Sequence, residues 1–383
     1  MSDATLAIGA LAVVIWLYLL FARGAFWRHE PVLDARPPAR WPTVVAVIPA
    51  RDEADGIDRC VRSLLGQHYP GQFGLVVVDD HSTDGTAGLA RQAAVAKGCA
   101  ERLRVVSGSA LPPGWSGKLW AVAQGLDAAA AWMPVADYVL LSDADIVHDA
   151  NNLADLVQHA EARDLDLASL MVVLHCASFA ERWLIPAFVF FFEMLYPFAW
   201  VNRRDRRTAA AAGGCMLVRR RALARIGGIA AIRGALIDDC ALAAAIKPGG
   251  PIWLGLATRT RSLRVYPKVG DIWLMVARTA YVQLDHSPLL LGLTVIGMAI
   301  AYVAPPALVL AGGVPAILGA LAWAAMSIAY LPTLRRYERW PVWAPLLPLV
   351  ALFYTAATLG STWRHHRGRG GQWKGRAYAK GGA

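Results

Sequence analysis

Apolar residues are concentrated towards the two ends of the chain. Residues 4–22 form a nearly uninterrupted apolar run, and residues 288–363 are mostly apolar apart from one basic break. Because about 20 apolar residues are enough to cross a bilayer, the first run predicts a transmembrane anchor. The second run predicts three apolar segments, at residues 288–311 with a kink near Pro305 and Pro306, at residues 314–334 and at residues 342–363.

Short apolar runs alternate with amphipathic stretches in the part of the chain between these regions. Continuous apolar strands that alternate with helices are typical of a mostly parallel sheet covered on both faces. We therefore expect an α/β, Rossmann-like domain that binds ligands beyond the carboxyl ends of its strands. The pattern predicts strands at residues 44–49, 75–78, 103–106 and 138–141, each followed by a helix, at residues 54–65, 83–97, 118–131 and 151–163.

Two later stretches, residues 181–200 and 271–284, are apolar and aromatic but also contain charged residues. A complete crossing by the first stretch would place the acidic residues before it and those after it on opposite sides of the membrane. Aromatic residues mixed with charges are typical of a helix in the headgroup layer. We predict an interfacial helix at each stretch, and a buried core helix is the alternative for the first.

Composition agrees with a membrane protein and makes a nucleic-acid partner unexpected. The chain has 56% hydrophobic and 17% charged residues, whereas ordinary soluble domains have roughly 25% charged residues. The net charge is +10, but the basic residues cluster beside the apolar segments, where membrane topology and anionic headgroups explain them. The five cysteines show no spacing typical of a disulfide framework or a zinc site.

The arginines after the first apolar run place the next domain in the cytoplasm by the positive-inside rule. Three complete crossings near the end would then place the basic tail outside, against the same rule. Either residues 342–363 are re-entrant or the number of crossings differs. We predict an anchor at residues 1–24, a linker at 25–42, the α/β domain at 43–268, an interfacial helix at 269–285, transmembrane helices at 286–363 and a basic cytoplasmic tail at 364–383.

Polar clusters follow three of the four predicted strands. Ser82 or Thr83 could cap the next helix. Capping does not explain why the two adjacent carboxylates of Asp79 and Asp80 stand at the end of a buried strand. Hard cations such as Mg²⁺ and Mn²⁺ prefer oxygen ligands, so the Asp-x-Asp pair predicts a metal site. The clusters are Pro49-Ala50-Arg51-Asp52-Glu53, Asp79-Asp80 with the residues to Thr86, and Asp143-Ala144-Asp145.

Three more features fit a phosphate-containing ligand and an acceptor. Lys118 opens a predicted helix, and an ammonium group at a helix N-terminus favours phosphate oxygens. The small residues Gly213 and Gly214 allow the backbone to approach a ligand closely. Asp238 and Asp239 begin an Ala-rich helix and offer a carboxylate that could remove a hydroxyl proton.

This set of motifs, in its order and spacing from residue 44 to 282, resembles family 2 glycosyltransferases of the GT-A fold. The anchor, the terminal apolar segments and the Gln372-Trp373-Lys374-Gly375-Arg376 tail more narrowly resemble hopene-associated glycosyltransferases of bacterial hopanoid clusters. The resemblance implies an inverting transfer of sugar from a nucleotide diphosphate sugar, usually a UDP-sugar, with Mg²⁺ or Mn²⁺ as cofactor. It also implies a membrane lipid acceptor and a place in the bacterial inner membrane, with the catalytic domain facing the cytoplasm.

The resemblance also implies a role for each motif. Asp239 would be the general base, beside Asp238 where the family usually has Glu. Asp143 and Asp145 would bind the metal, the ribose and the diphosphate, and Lys118 would approach the donor. Arg278 stands near the place of an Arg in the Gln-x-x-Arg-Trp motif of processive relatives, and we expect it to contact the diphosphate. The nucleoside would be held by Pro49, Ala50, Glu53 and Asp80, with Arg51 and Asp79 from the same clusters completing the nucleotide-sugar site.

Two alternatives remain at this point. The acceptor could be a polyprenyl phosphate or a ceramide-type lipid instead of a hopanoid, and an ionised phosphate would need no general base. The chain could also be a catalytically inactive membrane scaffold, although the intact acidic motifs argue against this alternative.

Overall fold

The computed structural model describes residues 3–28 and 36–367, together with the backbone of two short strands, Gln372–Trp373 and Arg376–Ala377. Parts of the predicted linker and of the basic tail lie outside the described residues. The chain divides into two compact units. The sheet unit comprises Pro31–His175, Trp200–Arg264 and Gln372–Ala383, and the helical unit comprises Met1–Glu30, Cys176–Ala199 and Val265–Gly371.

The sheet unit is built on one mixed sheet of eight strands, in the order β3-β2-β1-β4-β7-β6-β8-β5. β3, β2, β1 and β4 are parallel to one another. β7 is antiparallel to both β4 and β6. β6 and β8 are parallel, and β5 is antiparallel to β8. All four predicted strands are present. The strands are β1 (Val44–Ala50), β2 (Phe73–Asp79), β3 (Leu103–Ser107), β4 (Tyr138–Leu141), β5 (Ile146–Val147), β6 (Leu167–Val173), β7 (Met216–Arg219) and β8 (Ile252–Ser262).

The four helices predicted between these strands are also present. Additional helices make up the helical unit and the second half of the sheet unit. The α-helices, predicted and additional, are in chain order α1 (Asp3–Leu17), α2 (Ala54–Leu65), α3 (Thr86–Ala96), α4 (Gly117–Trp132), α5 (Asn152–Ala162), α6 (Phe179–Leu195), α7 (Phe198–Val201), α8 (Arg220–Arg225), α9 (Asp238–Ile246), α10 (Val269–Thr279), α11 (Pro288–Met298), α12 (Ala304–Val309), α13 (Gly313–Arg336) and α14 (Leu347–His366).

The predicted start of α3 at residue 83 is wrong, because the helix begins at Thr86. The Ser82 hydroxyl accepts a hydrogen bond from the backbone N–H of Asp52, and the Thr83 N–H donates to the Asp52 carboxylate. Neither residue therefore caps the helix. The Asp84 carboxylate instead accepts from the N–H of Thr86 at 3.1 Å, so residues 82–85 form a loop fastened to the end of β1.

The order of the strands brings the polar clusters to one edge of the sheet. β2, β1 and β4 are parallel neighbours, so their carboxyl ends lie side by side. β7 pairs with β4 in the opposite direction, with Met216 opposite Leu141. The Gly213-Gly214 turn, which precedes β7, therefore lies at the same edge as the carboxyl end of β4.

A buried polar network joins the end of β4 to this turn. The Ser142 hydroxyl donates to the Gly214 carbonyl at 2.8 Å and lies 2.9 Å from Nε2 of His148. The Asn152 amide lies 3.1 Å from Nδ1 of the same ring, and its oxygen accepts from the Thr260 hydroxyl at 2.9 Å. Burial lowers the pKa of His148 to about 4, so the ring is neutral, as an acceptor at Nδ1 and a donor at Nε2 require.

A carbonyl group left without a helical hydrogen bond in the helical unit is bound by a side chain from the first helix. The segment between α11 and α12, Ala299–Val303, is π-helical. It ends two residues before Pro305, which has no N–H to donate to the Ala301 carbonyl. The Trp16 indole N–H donates to that carbonyl at 2.8 Å. The Trp16 ring also packs edge-on against Tyr302, with the ring centroids 5.4 Å apart.

Five helical stretches of the described residues are long and apolar enough to cross a membrane by length and composition. Many large apolar side chains of the helical unit are exposed, including Phe21 at 73% and Leu289 at 72%. Their membrane location stays a prediction, as do the interfacial helices and the predicted boundaries. The five stretches are Asp3–Ala22, Phe179–Val201, Pro288–Val309, Gly313–Arg336 and Pro341–His366.

The second of these stretches, Phe179–Val201, connects two neighbouring strands of one sheet. β6 precedes it and β7 follows it, and the two strands are hydrogen-bonded to each other. A complete crossing would place adjacent strands on opposite sides of a bilayer, which favours the predicted interfacial helix or its alternative, a buried core helix. Phe190 and Glu193 are buried within the helical unit, as a core helix requires.

Helix α4 packs against the sheet through a glycine, which generates a prediction about stability. A Cβ atom at Gly125 would lie 2.4 Å from Val47 and 2.9 Å from Val78. We expect Gly125→Ala to destabilise the protein by about 1–3 kcal/mol, the usual cost of overpacking a core. Gly88→Ala in α3, where a Cβ would meet nothing within 4 Å, should be neutral or stabilising by up to ~1 kcal/mol. Thermal unfolding of both full-length variants in detergent measures the difference.

The neutral His148 predicts how stability depends on pH. The unfolded chain takes up a proton at His148 near pH 6.5, whereas the folded protein does so near pH 4. Stability is therefore fully present above pH 6.5 and falls as the pH drops towards 4, by up to about 3 kcal/mol. His148→Gln, which cannot take up that proton, should flatten this part of the stability curve in denaturant titrations at several pH values. An unchanged slope in His148→Gln would contradict the assignment.

Candidate functional site

Lys118 connects two acidic clusters that are distant in sequence. Its ammonium lies 2.8 Å from Oδ1 of Asp143, after β4, and 3.0 Å from Oδ2 of Asp238, in the first turn of α9. The Ser116 side chain accepts from the N–H of Leu119 and caps α4, so the helix start fixes the position of Lys118. One cation thus brings the predicted metal-binding motif and the predicted acceptor-side pair together.

Asp239 is held by two backbone donors beside this ion pair. The Gly213 N–H donates to its Oδ2 at 2.8 Å, and the Cys240 N–H donates to its Oδ1 at 2.7 Å. A Cβ at Gly213 would lie 3.4 Å from Oδ2 of Asp239 and 3.5 Å from the Lys118 ammonium. The glycine therefore lets the backbone lie against both charged groups, as the small-residue turn predicted.

The charges of the site change the proton affinities of its members. Burial and the charge of Asp238 raise the pKa of Asp239 to about 6. Burial, together with the charges of Asp145 and Asp238, raises the pKa of Asp143 despite the opposing effect of Lys118. Burial alone would lower the pKa of Lys118, but the charges of Asp143 and Asp238 more than compensate, so this pKa is raised and the side chain is charged.

Arg264 forms a second cationic contact in the site, and the sequence did not predict it. Its Nε lies 3.0 Å from Oδ2 of Asp145, and its Nη2 lies 3.1 Å from Oε1 of Glu53. The Ser262 hydroxyl, at the end of β8, donates to the same Asp145 oxygen at 3.1 Å. The end of β8 thus completes the site, and the basic residues that alternate along this strand were the available signal.

The predicted nucleoside-binding residues form an adjoining corner at the ends of β1 and β2. The Arg51 guanidinium donates to the Asp80 carbonyl at 2.6 Å, and the Asp80 N–H donates to the Ala50 carbonyl at 2.8 Å. The Asp80 side chain is 1% exposed, and the Asp79 carboxylate accepts from the Ser82 N–H. Pro49 lines the same small cavity, about 10 Å³, as Lys118, Asp143, Gly213 and Asp238.

The predicted site residues of the sheet unit therefore meet at one edge of the sheet. Arg278 is the exception, because it lies on α10 in the helical unit, and its contact with a diphosphate stays a prediction.

The donor atoms of the site fit a hard divalent cation that also binds phosphate. The carboxylates of Glu53, Asp143, Asp145, Asp238 and Asp239 share two cationic side chains, so the site is negative. Among the described residues no group of three or more His, Cys, Asp or Glu side chains is arranged to hold a metal by itself. Mg²⁺ is commonly held by one or two carboxylates together with substrate phosphates and water, and the Asp143–Asp145 pair fits that arrangement.

Comparison with known proteins finds a family match over part of the chain. Residues 45–227 match the family profile described as Glycosyl transferase family 2. No curated protein matches the chain.

One solved structure extends the likeness of fold to 93% of the chain. The mannosyltransferase PcManGT from Pyrobaculum calidifontis, in complex with GDP-Man and Mn²⁺, is 19% identical with a TM-score of 0.58, over 93% of this chain and 98% of that one. Glucosyl-3-phosphoglycerate synthase from Mycobacterium tuberculosis, with Mg²⁺ and UDP, is 18% identical with a TM-score of 0.41, over 67% of this chain and 85% of that one. The first likeness shows a GT-A-like fold. The family match over residues 45–227 indicates a glycosyltransferase family 2 domain and, with it, a glycosyltransferase.

Proposed function

We propose that this enzyme transfers a sugar from a nucleotide diphosphate sugar, a UDP-sugar, to the hydroxyl group of a membrane lipid. The observation that carries the proposal is the contact of Lys118 with both Asp143 and Asp238, 2.8 and 3.0 Å away. It joins the acidic pair suited to a metal-bound diphosphate to the acidic pair suited to an acceptor. A donor and an acceptor would therefore meet beside Asp239.

The proposed reaction is a single displacement with inversion. The acceptor oxygen forms a bond to the anomeric carbon while the bond from that carbon to the diphosphate breaks. Asp239 takes the proton of the acceptor hydroxyl. Its pKa of about 6 makes it a stronger base than an ordinary aspartate and leaves it ionised at neutral pH. Its two backbone hydrogen bonds fix the direction of the carboxylate.

The donor side of the site has the groups that a departing diphosphate requires. Asp143 and Asp145 would hold Mg²⁺ or Mn²⁺, which supplies positive charge to the leaving group. Lys118 adds a fixed positive charge next to Asp143. The nucleoside would occupy the corner formed by Pro49, Ala50, Arg51, Glu53, Asp79 and Asp80, and Arg278 would contact the diphosphate.

A lipid acceptor is supported by the helical unit. Its exposed large apolar side chains and its helices of membrane-spanning length fit a location in the bilayer, with the sheet unit on the cytoplasmic side. The narrower resemblance of the sequence favours a hopanoid or a related polyol lipid, and a bacterial inner membrane.

Asp239→Asn tests the role of the general base. We expect transfer to fall by about 10²- to 10⁴-fold, the usual contribution of a general base, with donor binding kept. In the unchanged enzyme kcat/KM should fall as the pH drops below about 6, because protonated Asp239 cannot accept the hydroxyl proton. This limb should disappear from the residual activity of Asp239→Asn.

Asp127→Asn, which neutralises an exposed carboxylate of α4, is the matched control and should leave the rate unchanged. Transfer that survives Asp239→Asn would instead indicate an acceptor that is already ionised, such as a polyprenyl phosphate. Absence of transfer and of donor hydrolysis from the unchanged enzyme with every nucleotide sugar would favour an inactive scaffold.

Calorimetry with Mn²⁺ tests the metal site independently of activity. Because Asp143 and Asp145 are engaged by Lys118 and Arg264, we expect weak Mn²⁺ binding alone and at least ~10-fold tighter binding with UDP, whose phosphates supply further ligands. Asp145→Ala should abolish the effect of UDP, and Asp127→Asn should keep it. Mn²⁺ binding that is equally tight without nucleotide would contradict the prediction, and a larger effect of GDP than of UDP would change the proposed donor.

A further inference from the structure

We propose that a loop of four arginines on the sheet unit binds the phosphate groups of anionic lipids at the membrane surface. This arginine loop, residues 202–208, contains Arg203, Arg204, Arg206 and Arg207, all exposed. The inference rests on the proposed membrane location of the enzyme. It adds a surface of the sheet unit that faces the bilayer and a class of lipid that this surface recognises.

Within the part of the chain that the structure describes, most of the positive charge of the arginine loop has no neighbouring carboxylate. Arg203 forms a bidentate ion pair with Asp205, at 2.6 and 2.9 Å. Among the described residues, no carboxylate lies within ion-pair distance of Arg204, Arg206 or Arg207. Other arginines of the same unit differ, since Arg219, Arg221 and Arg225 are paired with Glu161, Asp164 and Asp166. The loop therefore presents positive charge that a partner of negative charge could neutralise.

The loop is held in a fixed shape from beneath. The ammonium of Lys247, at the end of α9, donates to the carbonyls of Trp200 and Val201 at one end of the loop and to that of Thr208 at the other. The Asn202 side chain exchanges two hydrogen bonds with the backbone of Leu254, at 2.7 and 3.1 Å. Burial of Lys247 lowers its pKa to about 8. Placing an ammonium there costs free energy, and the contacts that it makes hold both ends of the loop together.

The segment before the loop is suited to a membrane surface. The chain enters the loop directly from the apolar stretch Phe179–Val201. Trp200 is the last aromatic residue of that stretch, and the Arg206 guanidinium lies 5.4 Å from its ring centroid. Tryptophan is enriched where apolar and polar layers of a membrane meet. An arginine beside it is therefore at the depth of the lipid phosphates.

The segment after the loop leads to the reaction site. Ala210, Ala211 and Ala212 are buried, and the next residue, Gly213, donates its N–H to Asp239. Lipid phosphates bound to the loop would thus hold the general base close to the layer in which the hydroxyl head of a lipid acceptor lies. A nucleic acid would satisfy the same charges, but the adjoining apolar stretch favours the bilayer.

Chemical modification of arginines in nanodiscs tests the proposal on the full-length protein. Phenylglyoxal reacts with exposed guanidinium groups, and mass spectrometry measures the rate at each arginine. We expect the rates at Arg204, Arg206 and Arg207 to be about fivefold lower with phosphatidylglycerol in the disc than with phosphatidylcholine alone, because a lipid surface of negative charge binds each nearby arginine. Arg59 and Arg91, exposed on α2 and α3, are internal controls and should react equally in both.

Two double variants test the proposal without depending on the modification rate of any single arginine. Arg206→Gln/Arg207→Gln should reduce the protection of Arg204 by phosphatidylglycerol, whereas Arg59→Gln/Arg91→Gln removes the same charge elsewhere and should not. Equal rates at the loop in both kinds of disc, or equal slowing at the loop and at the control arginines, would overturn the proposal. Protection by soluble glycerol phosphate in detergent would also overturn it, since the loop would then be a site for free phosphate.

Donor hydrolysis is measured on the same preparations. Protection of the loop without hydrolysis would count against the proposed reaction but not against lipid binding. Hydrolysis without protection of the loop would overturn lipid binding by the loop but not the proposed reaction.

Discussion

The ammonium group of Lys118 is the contact on which the arrangement of the site depends. Asp143, Asp145, Asp238 and Asp239 come from two segments about 90 residues apart in sequence, and unit charges about 4 Å apart repel by ~4 kcal/mol near a protein surface. Lys118 lies between Asp143 and Asp238 and reduces this repulsion. Burial and the charge of Asp238 raise the pKa of Asp239, and the remaining negative charge is suited to a divalent cation. The acidic residues of the site thus influence both its proton affinity and its suitability for a metal.

One antiparallel strand makes this arrangement possible. In a purely parallel sheet, the start of β7 would lie at the edge away from the site. Because β7 runs against β4, the turn before it reaches the carboxyl end of β4, and the His148 network joins the two across their backbones. The donor-side acids and the Gly213 N–H that holds Asp239 are consequently fixed to the same rigid edge.

Much of this could be predicted from the sequence because the central strands are buried on both faces. β1, β2 and β4 are continuous apolar runs, and the polar residues after them could only lie at the carboxyl edge. The start of α3 was placed too early because Ser82 and Thr83 form hydrogen bonds with Asp52, which follows another strand, instead of capping the helix. Arg264 was missed because its partner Asp145 is 119 residues away, and the basic residues that alternate along β8 do not show which acidic residue each of them contacts. His148 was missed because a single histidine in a loop has no pattern until its partners are known.

The hydrogen bond between Trp16 and Ala301 has a consequence for how the protein is made. During synthesis, the helix that carries Trp16 finds the partner for its indole only after 285 further residues have been added. The sheet unit, almost all of which lies between these two points of the chain, can therefore assemble before the helical unit closes. Chains that stop short of residue 301 would leave α1 without this contact, and their unpaired Trp16 indole would distinguish them from chains that extend beyond that residue.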